Sequence, residues 1–226
     1  VKTNVEHPET EIHQSVIIPA GRERLSGDLD VPAGARGLVL FAHGSGSSRN
    51  SPRNRFVAET IRDAGIGTLL FDLLTEAEEA EDRFTGHLRF NIDLLAGRLA
   101  EATKWVGGEP ALNHLGIGYF GSSTGAAAAL IAATTSTFPV QAIVSRGGRP
   151  DLARESLPRV TAPTLLIVGG LDEVVIDLNR RAFEQLRCDK RLEIIPGATH
   201  LFEEKGALAQ VARLAAEWFR KYLHLR

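Results

Sequence analysis

The chain has 226 residues and 24.5 kDa, with 43% apolar and 24% charged residues, as in ordinary globular proteins, and its 22 glycines and 10 prolines are too few for a collagen-like or low-complexity chain. Its 26 basic and 28 acidic residues nearly cancel, giving a net charge of −2 and a pI near 6.4. That balance lacks the basic surplus with which a general nucleic-acid binder neutralises phosphates. The one cysteine, Cys188, excludes an internal disulfide and cannot alone hold a structural metal, and no cofactor or metal is expected.

The length suits one large α/β domain over 1–226. Short apolar runs alternate with longer amphipathic ones, the pattern of strands and helices laid down in turn. His13–Ile18 and Leu25–Val31 are the first expected strands, split by a turn at Pro19-Ala20-Gly21. Leu38–Ala42 is continuously apolar, as in a strand buried on both faces, and Gly67–Phe71, Leu115–Phe120 and Ala142–Val144 follow the same pattern. Thr164–Val168 and Leu192–Ile195 bring the expected sheet to about eight strands.

Between the strands, Leu88, Ile92, Leu95, Leu99, Ala102 and Val106 recur at steps of three and four, one stripe of a helix packed on a sheet. Leu208, Val211, Ala212, Ala215, Trp218, Phe219 and Tyr222 form a second such stripe in the last helix. Residues 75–82, TEAEEAED, hold five acids in eight and fall just after a strand, on its rim. They read as a solvated loop, a short exposed helix or a flap beside a site. The longest apolar stretch, Ala126–Ala133, is far short of the ~20 residues that span a bilayer. The amino terminus, VKTNVEHPETEIHQ, carries no apolar run for export, so no membrane partner and a cytoplasmic address are expected.

Gly121-Ser122-Ser123-Thr124-Gly125 matches G-x-S-x-G and lies between the strand LGIGYF and the helix-forming AAAALIAA. That context is what the motif requires. A tight strand-to-helix turn lifts a strained serine clear of the sheet, and its neighbours must be small. Alone, the segment is also compatible with a serine-capped, alanine-rich helix start. Two later segments add weight. Asp172 follows the strand TLLIV on a Gly-Gly-Leu-Asp loop, and His200 follows LEII on Pro-Gly-Ala-Thr-His. Parallel strands bring such loops to one edge of a sheet. Ser123, Asp172 and His200 therefore form the candidate catalytic triad, in the Ser…Asp…His order of α/β-hydrolases. His43-Gly44-Ser45-Gly46 follows the strand LVLFA, where that fold places its second oxyanion donor. The backbone N–H groups of Ser45 and Thr124 are the expected oxyanion hole, with His43 structural. The G-x-G-x-x-G phosphate pattern fails here because Arg49 stands at the third glycine.

HGSGSS, GSSTG, VGGLDEVV and PGATHLFEE together make the chain resemble the small, cap-less α/β-hydrolases similar to dienelactone hydrolases, over nearly its whole length. The resemblance implies an α/β-hydrolase fold: a mostly parallel sheet of about eight strands, helices on both faces and no cap domain. Dienelactone hydrolases carry cysteine at the elbow, where this chain has Ser123, and Cys188 lies well outside the motif. The departure turns the expectation from dienelactone opening to ordinary ester hydrolysis through an acyl-enzyme on Ser123. A small-molecule ester is the expected partner, and oligomeric state is left open. A thioesterase or acyltransferase on the same triad, or a non-catalytic binding protein of this fold, are the alternatives. Arg146, in Ser-Arg-Gly-Gly-Arg-Pro after the strand QAIV, is a candidate for binding an anionic substrate group, with Arg49 and Arg53 adding to its field. The competing reading is an arginine that ties this loop to a nearby aspartate.

Overall fold

A computed structural model describes residues 10–226; the terminal segment read above for an export signal lies largely outside them. Eight strands form one sheet: β1 (Ile12–Ala20), β2 (Glu23–Val31), β3 (Gly37–Ala42), β4 (Gly67–Phe71), β5 (Gly116–Ser122), β6 (Val140–Arg146), β7 (Thr164–Gly169) and β8 (Lys190–Ile195). Their order is β1-β2-β4-β3-β5-β6-β7-β8. β1 pairs antiparallel with β2 and β2 with β4, and every later pairing is parallel.

The continuously apolar runs are the interior strands. All residues of β3, β4, β5 and β7 are buried, while β1 at one edge alternates along much of its length. β1 runs two residues further than its apolar pattern suggests, through Pro19 and Ala20. An edge strand tolerates proline because one side of its backbone needs no partner. The turn falls instead at Gly21-Arg22, where Gly21 has φ 65°.

Helices cover both faces. α1 (Pro52–Asp63) and α6 (Ala207–Tyr222) bury Val57, Ile61, Val211, Ala215 and Phe219 on one face. On the other lie α3 (Ile92–Gly108), α4 (Thr124–Thr135) and α5 (Glu173–Gln185), which contribute Leu95, Leu99, Leu130 and Ala182. The stripe expected to start at Leu88 begins as a helix only at Ile92, after an Asn91 N-cap whose side chain accepts the Leu94 N–H at 3.1 Å. α4 is apolar nearly all round because the sheet, α3 and the segment 150–159 enclose it, and alanine lets it approach them closely.

The acidic run 75–82 is neither loop nor free flap. It forms most of α2 (Glu76–Thr85), started by a capping box between Thr75 and Glu78. The helix is pinned at both ends. Glu78 pairs with Arg98 at 2.6 Å, and buried Asp82 accepts the N–H of Leu88 (2.6 Å) and Nε of Arg89 (2.5 Å). Burial raises the Asp82 pKa, but the Arg89 and backbone N–H bonds outweigh it and hold the carboxyl below its usual range. No helix among the described residues is long and apolar enough to cross a membrane.

Candidate active site

The parallel strands end on one edge, and the expected triad residues Ser123, Asp172 and His200 lie in the connections there, with Thr124 opening α4 and Arg146 ending β6. Ser123 joins β5 to α4 with φ 49° and ψ −119°, a conformation rare for a side-chain-bearing residue. The flanking glycines are dictated by contact. A Cβ on Gly125 would collide with the carbonyl oxygens of Ala42 and His43, and one on Gly121 would strike the backbone of Gly125 and Ala126. A helix can therefore leave a strand this sharply only with glycine at both positions. The turn is fixed further by the Ser123 N–H donating to the Arg146 carbonyl (3.2 Å) and by the Arg149 N–H donating to the Ser123 carbonyl (3.0 Å).

Asp172 and His200 meet: the Asp172 carboxylate Oδ2 lies 2.6 Å from His200 Nδ1. Two close approaches allow it. A Cβ on Gly169 at the end of β7 would come within 2.5 Å of the Ala198 and Thr199 carbonyls, so glycine lets the histidine loop lie against that strand. The Leu171 N–H donates to the Ala198 carbonyl at 2.9 Å and fastens the two loops together. Phe202, buried just after the histidine, holds φ 56°, a second strained residue at this edge. Gly147 joins the halves of the site, since a Cβ there would stand 3.5 Å from His200 Cε1, one residue from the carbonyl that holds Ser123. The Ser123 hydroxyl makes no hydrogen bond among the described residues.

The loop expected to form the oxyanion hole has a geometry that its sequence did not disclose. The Ser45 N–H donates to Thr124 Oγ1 at 3.0 Å, so the threonine side chain occupies one expected donor. The Thr124 N–H opens α4, among the first N–H groups of a helix, which have no intrahelical acceptor. His43 is structural: its Nε2 accepts the Leu73 N–H at 3.0 Å while its Nδ1 lies 3.0 Å from the Gly44 carbonyl. Burial pushes its pKa below the usual histidine value, keeping the ring neutral enough to accept that bond. α2 roofs this loop, with Glu79 and Arg89 lining the same small hollow as His43–Gly46.

The arginines divide. Arg49 is committed, its N–H and guanidinium both on Asp72, with Asp28 at 3.7 Å, so its charge is spent within the protein. Arg149 ties the loop down through a two-pronged bond to Asp151, at 2.9 and 2.8 Å. Arg146 is not tied. It is buried among the strand ends and, among the described residues, has no carboxylate in ion-pair range and leaves Nε and Nη1 without partners. Burial, with the charge of Arg53 adding to it, pushes its pKa down to about 10. Leu171, Val174 and Leu201, close in sequence to Asp172 and His200, stand exposed. Among the described residues no group of histidine, cysteine and acidic side chains is placed to hold a metal ion.

Comparison with known proteins places this arrangement. The fold matches the crystal structure of a dienelactone hydrolase from Anabaena variabilis with a TM-score of 0.93 and 59% identity, over 95% of this chain and 99% of that one. Est1E from Butyrivibrio proteoclasticus (TM-score 0.76, 17% identity, 92% and 98% covered) and the esterase domain of a Rhodothermus marinus protein (0.72, 21%, 93% and 99%) share the fold. A Mycobacterium tuberculosis protein provisionally named a phosphoribosyl transferase is 54% identical over 210 residues, 93% of this chain. The chain spans only 46% of that longer relative. No family model matches. At 59% identity over nearly the whole of both chains, this protein belongs to the dienelactone hydrolase-like family of α/β-hydrolases.

Proposed function

We propose that the protein is a serine hydrolase that cleaves carboxylic esters of small or accessible acyl groups, with Ser123 forming the acyl-enzyme. The observation that carries this reading is the 2.6 Å Asp172–His200 contact beside a serine held at positive φ. In it, Asp172 fixes the imidazole so that Nε2 faces the nucleophile. His200 takes the Ser123 proton as Oγ attacks the acyl carbonyl, then returns it to the departing alkoxide. Water, activated by the same ring, releases the acid.

Charge developing on the carbonyl oxygen is met by the N–H groups of Thr124 and Ser45. The Ser45 N–H exchanges its bond to Thr124 Oγ1 for one to the oxyanion, which keeps that donor oriented before substrate arrives. One such donor is typically worth ~10²–10³ in rate. Between β6 and β7 the chain forms only two short 3₁₀ turns within Pro150–Arg159, kinked at Arg154, and the residues Leu171, Val174 and Leu201 are apolar and exposed. Both features favour short or surface-presented acyl groups. A thioester substrate, or an acceptor alcohol in place of water, would use the same residues. The phosphoribosyl transfer named for the longer mycobacterial relative belongs to a chain more than twice the matched length and is not proposed for this one.

The test is labelling with a fluorophosphonate, followed by peptide mass analysis. Adduct on Ser123, lost in Ser123→Ala, slowed in His200→Ala and unaffected in Ser122→Ala, is the expected result. A protein that folds but takes up no label, or takes it up at Ser122, overturns the assignment.

A further inference from the structure

Arg146 raises a question that the triad does not answer. It is 7% exposed, yet among the described residues no acidic side chain lies within ion-pair range and no hydrogen bond reaches Nε or Nη1. A buried charge without a counter-charge is costly, and perturbed, unpaired charges of this kind cluster at sites where a ligand completes them. Its position in the sheet says where the ligand would sit. Arg146 pairs with Ser122 in the β5–β6 register, and Ala142 and Val144 of the same strand face the α1–α6 layer. By strand alternation its side chain takes that face, and the Ser122 hydroxyl, in register with it, donates to Asn54 of α1 at 3.1 Å.

The neighbouring charge is a second arginine. Arg53, in the first turn of α1, touches only exposed Glu203 through Nη1 at 3.3 Å and leaves its Nε buried without a partner. The first turn of α1 contains no acidic residue of its own to offset the positive helix end. The charge of Arg53 acts on Arg146, and exposed Glu203 is the one carboxylate paired with either guanidinium among the described residues. Arg146 adjoins the reacting groups, because its own carbonyl holds the Ser123 N–H and the next residue, Gly147, lies against His200.

We infer that Arg146 and Arg53 form a subsite for a phosphate group carried by the substrate, one residue from the nucleophile. The inference rests on the ester-hydrolase reading for its placement beside Ser123, though not for the binding itself. A dianionic phosphate satisfies two guanidinium groups, whereas a carboxylate supplies only one charge. The substrate class is then an acyl ester of a phosphorylated alcohol. The two orphaned guanidinium nitrogens of Arg146 and that of Arg53 are the donors such a group would satisfy.

Two measurements test this. Titration calorimetry of inorganic phosphate against wild type, Arg146→Gln, Arg53→Gln and Arg213→Gln needs no turnover. Binding to wild type that weakens roughly ten- to hundredfold in the first two variants and stays unchanged in the third is expected, that range being typical of a lost charged hydrogen bond. Arg213 is exposed on α6 and paired with Glu217, so it controls for net charge. Arg53 is partly exposed, so its variant keeps the test open if Arg146→Gln fails to fold. In parallel, kcat/KM is compared for the acetate esters of 2-hydroxyethyl phosphate, glycolate and 2-methoxyethanol. The phosphate ester should be preferred, and its advantage over the neutral ester should shrink in both arginine variants. No phosphate binding, equal weakening in Arg213→Gln, or a preference for the glycolate ester overturns the subsite. Phosphate binding without cleavage of any ester would leave the subsite standing and overturn the hydrolase reading instead.

Discussion

Replacing Ser123 by glycine should make the protein more stable as it removes the proposed nucleophile. At φ 49° and ψ −119° the residue occupies a region that side-chain-bearing residues populate at a cost of about 1–3 kcal/mol. Glycine adopts it freely but gives up about 0.5–1 kcal/mol of backbone entropy on folding. The net expectation is a gain of about 1 kcal/mol, or about 2–4 °C in Tm for a chain of this length. Ser123→Ala is the reference, since it keeps the strained Cβ and removes a hydroxyl that makes no hydrogen bond; it should stay within about 0.5 kcal/mol of wild type. The assay is urea unfolding of the three proteins, with the midpoint and slope read together. Arg154 is an internal control, because it is exposed and sits at nearly the same angles, φ 47° and ψ −122°. Arg154→Gly should gain by a similar amount. If Ser123→Gly is no more stable than Ser123→Ala, the elbow stores no strain and the argument from its backbone fails.

Gly125→Ala should cost at least about 1–3 kcal/mol, the range for overpacking, because its Cβ has to displace the Ala42 and His43 carbonyls; an unchanged urea midpoint would refute this. Stability should also depend on pH through His43. Its folded pKa is depressed by burial, so the unfolded chain binds the extra proton as pH falls below about 6.5. The His43 contribution is therefore present above that pH and lost as pH falls through the folded value, at up to about 1.4 kcal/mol per pH unit. Unfolding at pH 7.5 and 5.5 should show a smaller drop for His43→Gln than for wild type, and equal drops would exclude the histidine as the source.

Much of this protein is legible along the chain. Interior strands such as Leu38–Ala42 are buried on both faces and so appear as unbroken apolar runs, while the helix stripes show in the steps of three and four. The elbow is legible for a related reason. Its glycines are required by backbone contacts made within a few residues of Ser123 and by the adjoining strand, so local sequence carries the constraint. Boundaries are less visible where a neighbour decides them, as with Pro19, which remains in β1 because that strand lies at the sheet edge.

What only the tertiary structure decided is pairing. The acidic run 75–82 has the same composition as helix, loop or flap; Asp82 on Arg89 and Glu78 on Arg98 make it a pinned helix. Four arginines near the site carry the same charge in sequence, yet Arg49 is spent on Asp72, Arg149 on Asp151 and Arg53 in part on Glu203, while Arg146 is left unpaired. Likewise the Ser45 N–H lies against the Thr124 hydroxyl across 79 residues of sequence. Apolar periodicity reports what a residue does within its own element. The partner of a charge or an N–H is set by which strand ends the sheet brings together, and that is a property of the fold.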